Sequence, residues 1–203
     1  MSVNSEFQTS LTKHQELFGI DLDDDARERL EAFYNHVLEH NPILHLVGPC
    51  SATEFATRHI LESLTLLEHL PKSARFADVG TGAGLPAIPC LLVREDLSAT
   101  LIDAKKKKSD FLTEAISKLS LEDRATVVTR QFHEVQISEE KTITCRALDK
   151  FSEKLPALLK WSRGRRRLFF GGPTLEAKLQ ELKRPFERKL MPLSDQRYLF
   201  IIK

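Results

Sequence analysis

The chain predicts an α/β fold: a mostly parallel β-sheet with helices on both faces, preceded by an N-terminal helical extension. Three observations carry this. From residue 74 onward, short strand-like runs alternate with longer segments of helical period. The runs, such as "ARFADV" and "ATVVT", are close to continuously apolar, as strands covered on both faces must be. The last two strand-like segments have little chain between them, which suits an antiparallel hairpin at the sheet edge. With 203 residues and 41% hydrophobic content, the chain suits one domain. Residues 1–70 would form a helical cap and residues 71–203 the ligand-binding core.

Taken in order, residues 1–22 lack a strong pattern and read as a loose start or a short helical piece. "DDDARERLEAFYNHVLEH" has an acidic first turn and places Leu30, Phe33, Tyr34, Val37 and Leu38 at helical spacing, with Pro42 expected to stop it. "SATEFATRHILESLTLLEHL" opens with Ser51 and Glu54 in capping-box relation and carries Phe55, Ile60, Leu64 and Leu67 as an apolar stripe. Strands follow at "ARFADV", "SATLID", "ATVVT", "KTITC" and "RLFF", then near 187–192 and 197–202. Helices fill the gaps: one from Leu85, then "KKKKSDFLTEAISKLS", one around 149–161, and "TLEAKLQELK" ended by Pro185.

Charge is balanced overall at +1 but divided along the chain. Residues 1–140 hold 14 Lys+Arg against 23 Asp+Glu, and residues 141–203 hold 16 against 6. The basic C-terminal part suits a polyanionic partner. Cys50, Cys90 and Cys145 are odd in number and form no C-x-x-C pair, so they read as buried or idle thiols in a reducing cytosol. No apolar run reaches membrane-span length and no signal peptide is evident, so a cytoplasmic protein without a membrane partner is expected.

The stretch "FADVGTGAGLPAIP", residues 76–89, carries most of the chemistry. A phosphate loop needs Lys and Ser or Thr after its glycines, and Leu85-Pro86 stands there instead. A dinucleotide loop is G-x-G-x-x-G, whereas this one is G-x-G-x-G. Asp103, closing "TLID" about 20 residues on, is placed to accept both hydroxyls of a ribose. Asp78 precedes the first glycine, where a carboxylate repels phosphate and welcomes an ammonium. An ammonium, a sulfonium and a ribose without phosphate describe S-adenosyl-L-methionine, with Gly80 and Gly82 letting the backbone approach it.

"RHILESLTLLEHL", "FADVGTGAGLPAIP", "TLIDAKKKKSDFL", "CRALDKF" and "RYLFIIK" resemble, in order and spacing, the bacterial small-subunit ribosomal RNA guanine methyltransferase G family, also called glucose-inhibited division protein B. The resemblance implies a Rossmann-like class I methyltransferase fold with seven strands and a helical extension. It implies transfer of a methyl group to ring nitrogen 7 of one guanine in small-subunit ribosomal RNA, as naked RNA or in the assembled small subunit, by a monomer. Carried over by position, Gly80 and Leu85 line the cofactor, Phe132 and His133 flank its adenine, and Arg146 stands beside cofactor and target base. That nitrogen has an in-plane lone pair and needs no deprotonation, so the chemistry asks mainly for positioning and charge management, which suits Arg146. The chain departs from the family pattern at His45 and Val47 (usually Asn and Thr), Glu62 (Asp), Gln131 (Arg) and Gly171 (Lys). These departures spare the cofactor site and bear on the RNA target. The rival readings are a methyltransferase of the same fold with another substrate, and a non-catalytic RNA- or ribosome-binding relative.

Other signals have simpler explanations. His36 to His40 reads H-x-x-E-H, a zinc pattern by spacing, but Arg29, Glu31 and Glu39 mark a solvated helix side, and no metal is expected. "KKKK", residues 105–108, reads as a solvated helix face. "SRGRRR", residues 162–167, precedes a strand and so lies at the sheet end opposite the ligand. Trp161 reads as core.

Overall fold

A computed structural model describes residues 3–203, so the first two residues of the expected cap lie outside the described ones. A seven-stranded sheet in the order β3-β2-β1-β4-β5-β7-β6 forms its centre. The strands are β1 Arg75–Val79, β2 Ser98–Ile102, β3 Ala125–Val128, β4 Thr142–Arg146, β5 Arg166–Gly171, β6 Phe186–Leu190 and β7 Tyr198–Ile202. β1 to β5 run parallel, and β7 lies antiparallel between β5 and β6. The closing hairpin therefore forms as expected, with β6 on the outside. Composition explains the order: "YLFII" is buried and suits an inner position, whereas "FERKL" places Glu187, Arg188 and Lys189 on an edge that charge protects.

Both faces of the sheet are covered. One apolar cluster joins Phe76 of β1 and Leu101 of β2 to Ile88 and Leu91 of α5 (Ala87–Val93) and to Phe111 and Leu112 of α6 (Lys106–Lys118). The same cluster takes in Phe7 and Leu11 of α1 (Val3–His14) and Leu30, Phe33 and Val37 of α2 (Asp24–Leu44). On the opposite face Ala77, Ile143 and Phe169 pack against Leu155 and Leu158 of α7 (Phe151–Trp161) and Leu175 and Leu179 of α8 (Pro173–Glu181).

The N-terminal region differs from expectation in three places. Residues 3–14 form a regular helix, and Phe7 is fully buried and stacked on Tyr34 at 4.4 Å. Its own apolar pattern is sparse, so this helix is held by docking rather than by propensity. Pro42 does not stop α2, which continues to Leu44 and ends where His45 takes φ 47°. A proline in the last turn removes a single backbone donor, and the His45 N–H closes the end on the Asn41 carbonyl at 3.0 Å. Leu38, expected in the buried stripe, is exposed.

Residues 52–69 form one helical run of changing pitch. It comprises α3 (Ala52–Glu54), a seven-residue π segment (Phe55–Leu61), α4 (Glu62–Leu64) and a 3₁₀ turn (Thr65–His69). The Ser51–Glu54 capping box that opens it is formed in both directions. The π segment holds "RHIL" and, as such segments often do, lies beside the site.

Candidate functional site

The strand order reverses between β1 and β4, and in register Val79 lies beside both Ile102 and Cys145. The carboxyl ends of these strands open at the place where α/β sheets receive ligands. Three adjoining cavities lie there. One, of about 320 Å³, runs past Gly80, Asp103, Lys105, Phe132 and Leu148. A second, of about 260 Å³, lies between the glycine loop and Val47, Arg58 and His59. The third, of about 380 Å³, is lined by Phe151, Phe170, Tyr198 and Arg197. Gly80 belongs to the first two, Arg58, Arg146 and Ala147 to the second and third.

The loop is built from backbone. The Gly80 and Thr81 N–H groups both donate to the Ile102 carbonyl, at 2.8 and 3.3 Å, tying the loop to the end of β2. Gly80 has φ 68°, and a Cβ there would meet Leu148 Cδ1 at 2.5 Å, so only glycine serves. Asp103 is buried and accepts twice: Oδ2 from the Gly82 N–H at 3.1 Å and Oδ1 from the Lys105 N–H at 2.8 Å. Each oxygen keeps a lone pair, and the residue lines the first cavity, as a receiver of a diol must.

Asp78 behaves differently from expectation. It is fully buried beneath the loop, lines none of the three cavities, and accepts the Thr144 hydroxyl at 2.7 Å. Burial raises its pKa from 3.8 to about 6, against the pull of the Thr81 and Thr144 hydroxyls. Its Oδ2 and the Thr81 hydroxyl are both buried without a completed hydrogen bond. Asp78 thus sits beneath the loop, with no face on the three cavities.

The remaining sequence candidates divide. Phe132 is buried, lines the first cavity and packs edge-to-face on Trp161, whose Nε1 donates to the Val135 carbonyl at 2.9 Å. His133 is exposed and not among the lining residues. Leu85 lines the glycine-loop cavity. Gly82 lies there too, 3.6 Å from Lys108 Nζ as measured from its notional Cβ.

Arg146 ends β4 and is held from several directions. Its Nη2 donates to the Arg58 carbonyl at 2.7 Å and to Glu62 Oε2 at 3.2 Å, and its guanidinium stands 5.4 Å from the Phe170 ring. Glu62, 2% exposed, also receives Arg197 Nε on its other oxygen at 2.7 Å. Nη1 of Arg146 is buried without a partner, a donor awaiting an acceptor. Burial lowers the arginine's pKa, with Glu62 opposing, and the group stays cationic. Burial and the cations Arg146, Arg58 and Arg197 push His59 down to about 3, so it is neutral.

Sequence reading missed Arg58, Glu62, Arg197, Lys105 and Lys108 as site residues. The lysines had a signal, since positions 105 and 108 are three apart across the start of α6 and both line the first cavity, while Lys106 and Lys107 do not. Arg58 and Arg197 stand in the stretches "RHILESLTLLEHL" and "RYLFIIK" but were given no role, because they meet Arg146 only in the fold. Among the departures, Val47 lines the glycine-loop cavity, Gln131 caps the turn that carries Phe132, and Gly171 lines the third cavity. His45 is an exposed helix end.

The H-x-x-E-H stretch is less solvated than expected. His36 is fully buried, stacked on Phe111 at 4.9 Å, and burial holds its pKa down. Its ligand atoms lie within 4.8 Å of those of Glu39 and His40, but Lys118 Nζ already stands 3.4 Å from Glu39 Oε2. No described helix is long and apolar enough to cross a membrane.

A family model, GidB: rRNA small subunit methyltransferase G, matches residues 26–191. The ribosomal RNA small subunit methyltransferase G of Neisseria meningitidis serogroup C is 33% identical over 135 residues, 66% of this chain and 65% of the relative. Those of Anaeromyxobacter dehalogenans and a Mycobacterium species are 34% identical over 131 residues and 35% over 151, covering 64% and 70% of this chain and 61% and 65% of the relatives. The matched stretch thus spans just under two thirds of these relatives' length. Among solved structures, M. capricolum TrmK in complex with S-adenosyl-homocysteine has a TM-score of 0.56 at 15% identity, over 70% of this chain and 67% of that one. Precorrin-6y C5,15-methyltransferase of Geobacter metallireducens gives 0.53 at 12%, over 70% and 87%. At such identities the likeness is one of fold, and it is the Rossmann-like methyltransferase fold. The glycine loop, Asp103 and the Arg146–Glu62 pair all fall inside the matched residues 26–191, and the chain belongs to the rRNA small subunit methyltransferase G family.

Proposed function

We propose that this chain uses S-adenosyl-L-methionine to methylate nitrogen 7 of a guanine in small-subunit ribosomal RNA. It would act as one domain, with residues 1–70 as cap and 71–203 as core. The observation that carries the reading is the shared wall: the glycine-loop cavity and the arginine-lined cavity meet at Arg146 and Ala147. A donor in one is therefore beside an acceptor in the other.

The residues fit the cofactor. Gly80 offers a backbone that no side chain obstructs, Asp103 has lone pairs left for a ribose, and Phe132 supplies an apolar wall. When bound, S-adenosyl-L-methionine supplies an electrophilic methyl group on a sulfonium. Everything else asked of the protein is positioning. The guanine nitrogen keeps its lone pair at neutral pH, so no side chain must remove a proton, and His59 nearby is neutral. Arg146, pinned by Glu62, orients the base through its unpartnered Nη1.

Mapping of methylated guanines in small-subunit RNA tests the reading. A strain lacking the gene is expected to lose one 7-methylguanine that the gene restores, and an unchanged map sinks the proposal.

A further inference from the structure

We propose that the third cavity receives the target guanine turned out of the RNA, and that Glu62 sets specificity by holding Arg146 and Arg197 against its O6 edge. This rests on the methyltransferase reading above and adds the base's binding pocket and the groups that recognise it.

The cavity has the size and chemistry for a purine. Its volume is about 380 Å³, ample for one base, and Phe151, Phe170 and Tyr198 give it aromatic walls. Bases extruded from RNA are held by stacking, and aromatic faces also attract a ring that becomes cationic, as guanine does on methylation at nitrogen 7. Arg58, exposed on the rim, is placed for a phosphate.

Recognition follows from Glu62. One buried carboxylate uses both oxygens, Oε2 on Arg146 at 3.2 Å and Oε1 on Arg197 at 2.7 Å. Both guanidiniums are thereby fixed from one side, and the buried anion offsets cations that a forming cationic base would otherwise oppose. Arg146 Nη1 is left buried without an acceptor. Guanine presents O6 next to nitrogen 7, so a donor can hold O6 while nitrogen 7 stays open. Adenine presents an amino group at that place and leaves Nη1 unpaired, which is the stronger kind of discrimination.

The test uses full-length protein and an RNA carrying the guanine that the mapping identifies. Inosine, which keeps O6 and nitrogen 7, is expected to be methylated within about threefold of guanine, and adenine about 100-fold less or worse. Glu62→Gln is expected to lower kcat about 30-fold and to narrow the guanine-over-adenine preference, with cofactor affinity by calorimetry within about threefold. If Glu62→Gln fails to fold, Tyr198→Leu still decides: the RNA KM is expected to rise about tenfold with cofactor affinity unchanged. Wild-type rates on guanine with unaltered rates in Tyr198→Leu, or equal rates on guanine and adenine, overturn this pocket and leave the methyltransferase reading standing. No transfer by the wild type to any small-subunit RNA overturns both.

Discussion

The two halves of the site manage charge in opposite ways. On the side of β1 and β2, Asp103 is held by the backbone amides of Gly82 and Lys105, and Asp78 beneath the loop by the Thr144 hydroxyl of β4. On the side of β4 and β7, one carboxylate, Glu62, gathers Arg146 and Arg197 from distant parts of the chain. The first half is built mainly from backbone at the ends of neighbouring strands, around the glycine loop. The second exists only when the helix 52–69 docks on the sheet. The two should therefore fail separately: damage to the first should cost cofactor binding, damage to the second should cost transfer.

The largest expected effect breaks the arginine half. Arg146→Ala is expected to fold, since Glu62 keeps Arg197 as a partner, and to lower kcat by about 100- to 1,000-fold, on the order of 3–4 kcal/mol in the barrier. Calorimetry should find cofactor affinity nearly intact. A variant that loses the cofactor as well would mean that Arg146 belongs to the glycine half, and the comparison would collapse.

The mirror experiment is Gly80→Asp. The position has φ 68° and a Cβ there meets Leu148 at 2.5 Å, so the substitution strains the backbone and crowds the loop. It also adds a negative charge to the proposed cofactor loop, which would repel the cofactor's own carboxylate. Affinity is expected to fall about 100-fold, roughly 2.7 kcal/mol. Equal affinity in variant and wild type would show that the ligand lies elsewhere.

What the sequence disclosed follows the same division. The glycine half was legible because its residues lie in two short stretches of one strand–helix–strand unit: "DVGTGAGLP" and the acid closing "TLID" state the chemistry by spacing. The sheet was legible too, because strands buried on both faces must be apolar in any context. Glu62 and Arg197 were not, because their meaning depends on a contact across 135 positions. The burial of Asp78 was not legible for a related reason. Spacing places it next to the loop, but only the fold shows it buried beneath, with its carboxylate on Thr144. The helix of residues 3–14 was missed because docking, not its own pattern, holds it.

Asp78 offers a test of stability within the glycine half. Its folded pKa, about 6, lies above the 3.8 of the unfolded chain. The protonated acid is favoured in the fold, so its contribution is best below pH 4, falls as pH rises to about 6, and is a constant penalty above that. The ceiling of that penalty is about 3 kcal/mol, and relaxation brings the expected gain for Asp78→Asn at pH 7.5 to roughly 2 kcal/mol. Thermal melts across pH should show the variant and wild type together below pH 4 and apart above pH 6. A destabilised variant at pH 7.5 would mean that the charge itself holds the loop.

The smallest effect probes how the arginine half is delivered. The helix carrying Arg58, His59 and Glu62 begins at the Ser51 cap, where Ser51 Oγ accepts the Glu54 N–H at 3.1 Å and Glu54 Oε2 accepts the Ser51 N–H at 2.9 Å. Ser51→Ala removes the first bond and leaves the second, at a cost of about 1 kcal/mol, or roughly 2–4 °C in Tm for a chain of this size. Ser51→Asp keeps an acceptor at the same place and should restore most of it. Because the cap lies on the helix and not on the glycine loop, cofactor affinity should not move in either variant, while kcat should fall a few-fold in Ser51→Ala as Glu62 loses rigidity. A drop in cofactor affinity matching the loss in kcat would show that the two halves are one cooperative unit, and that the helix positions the loop as well as the arginines.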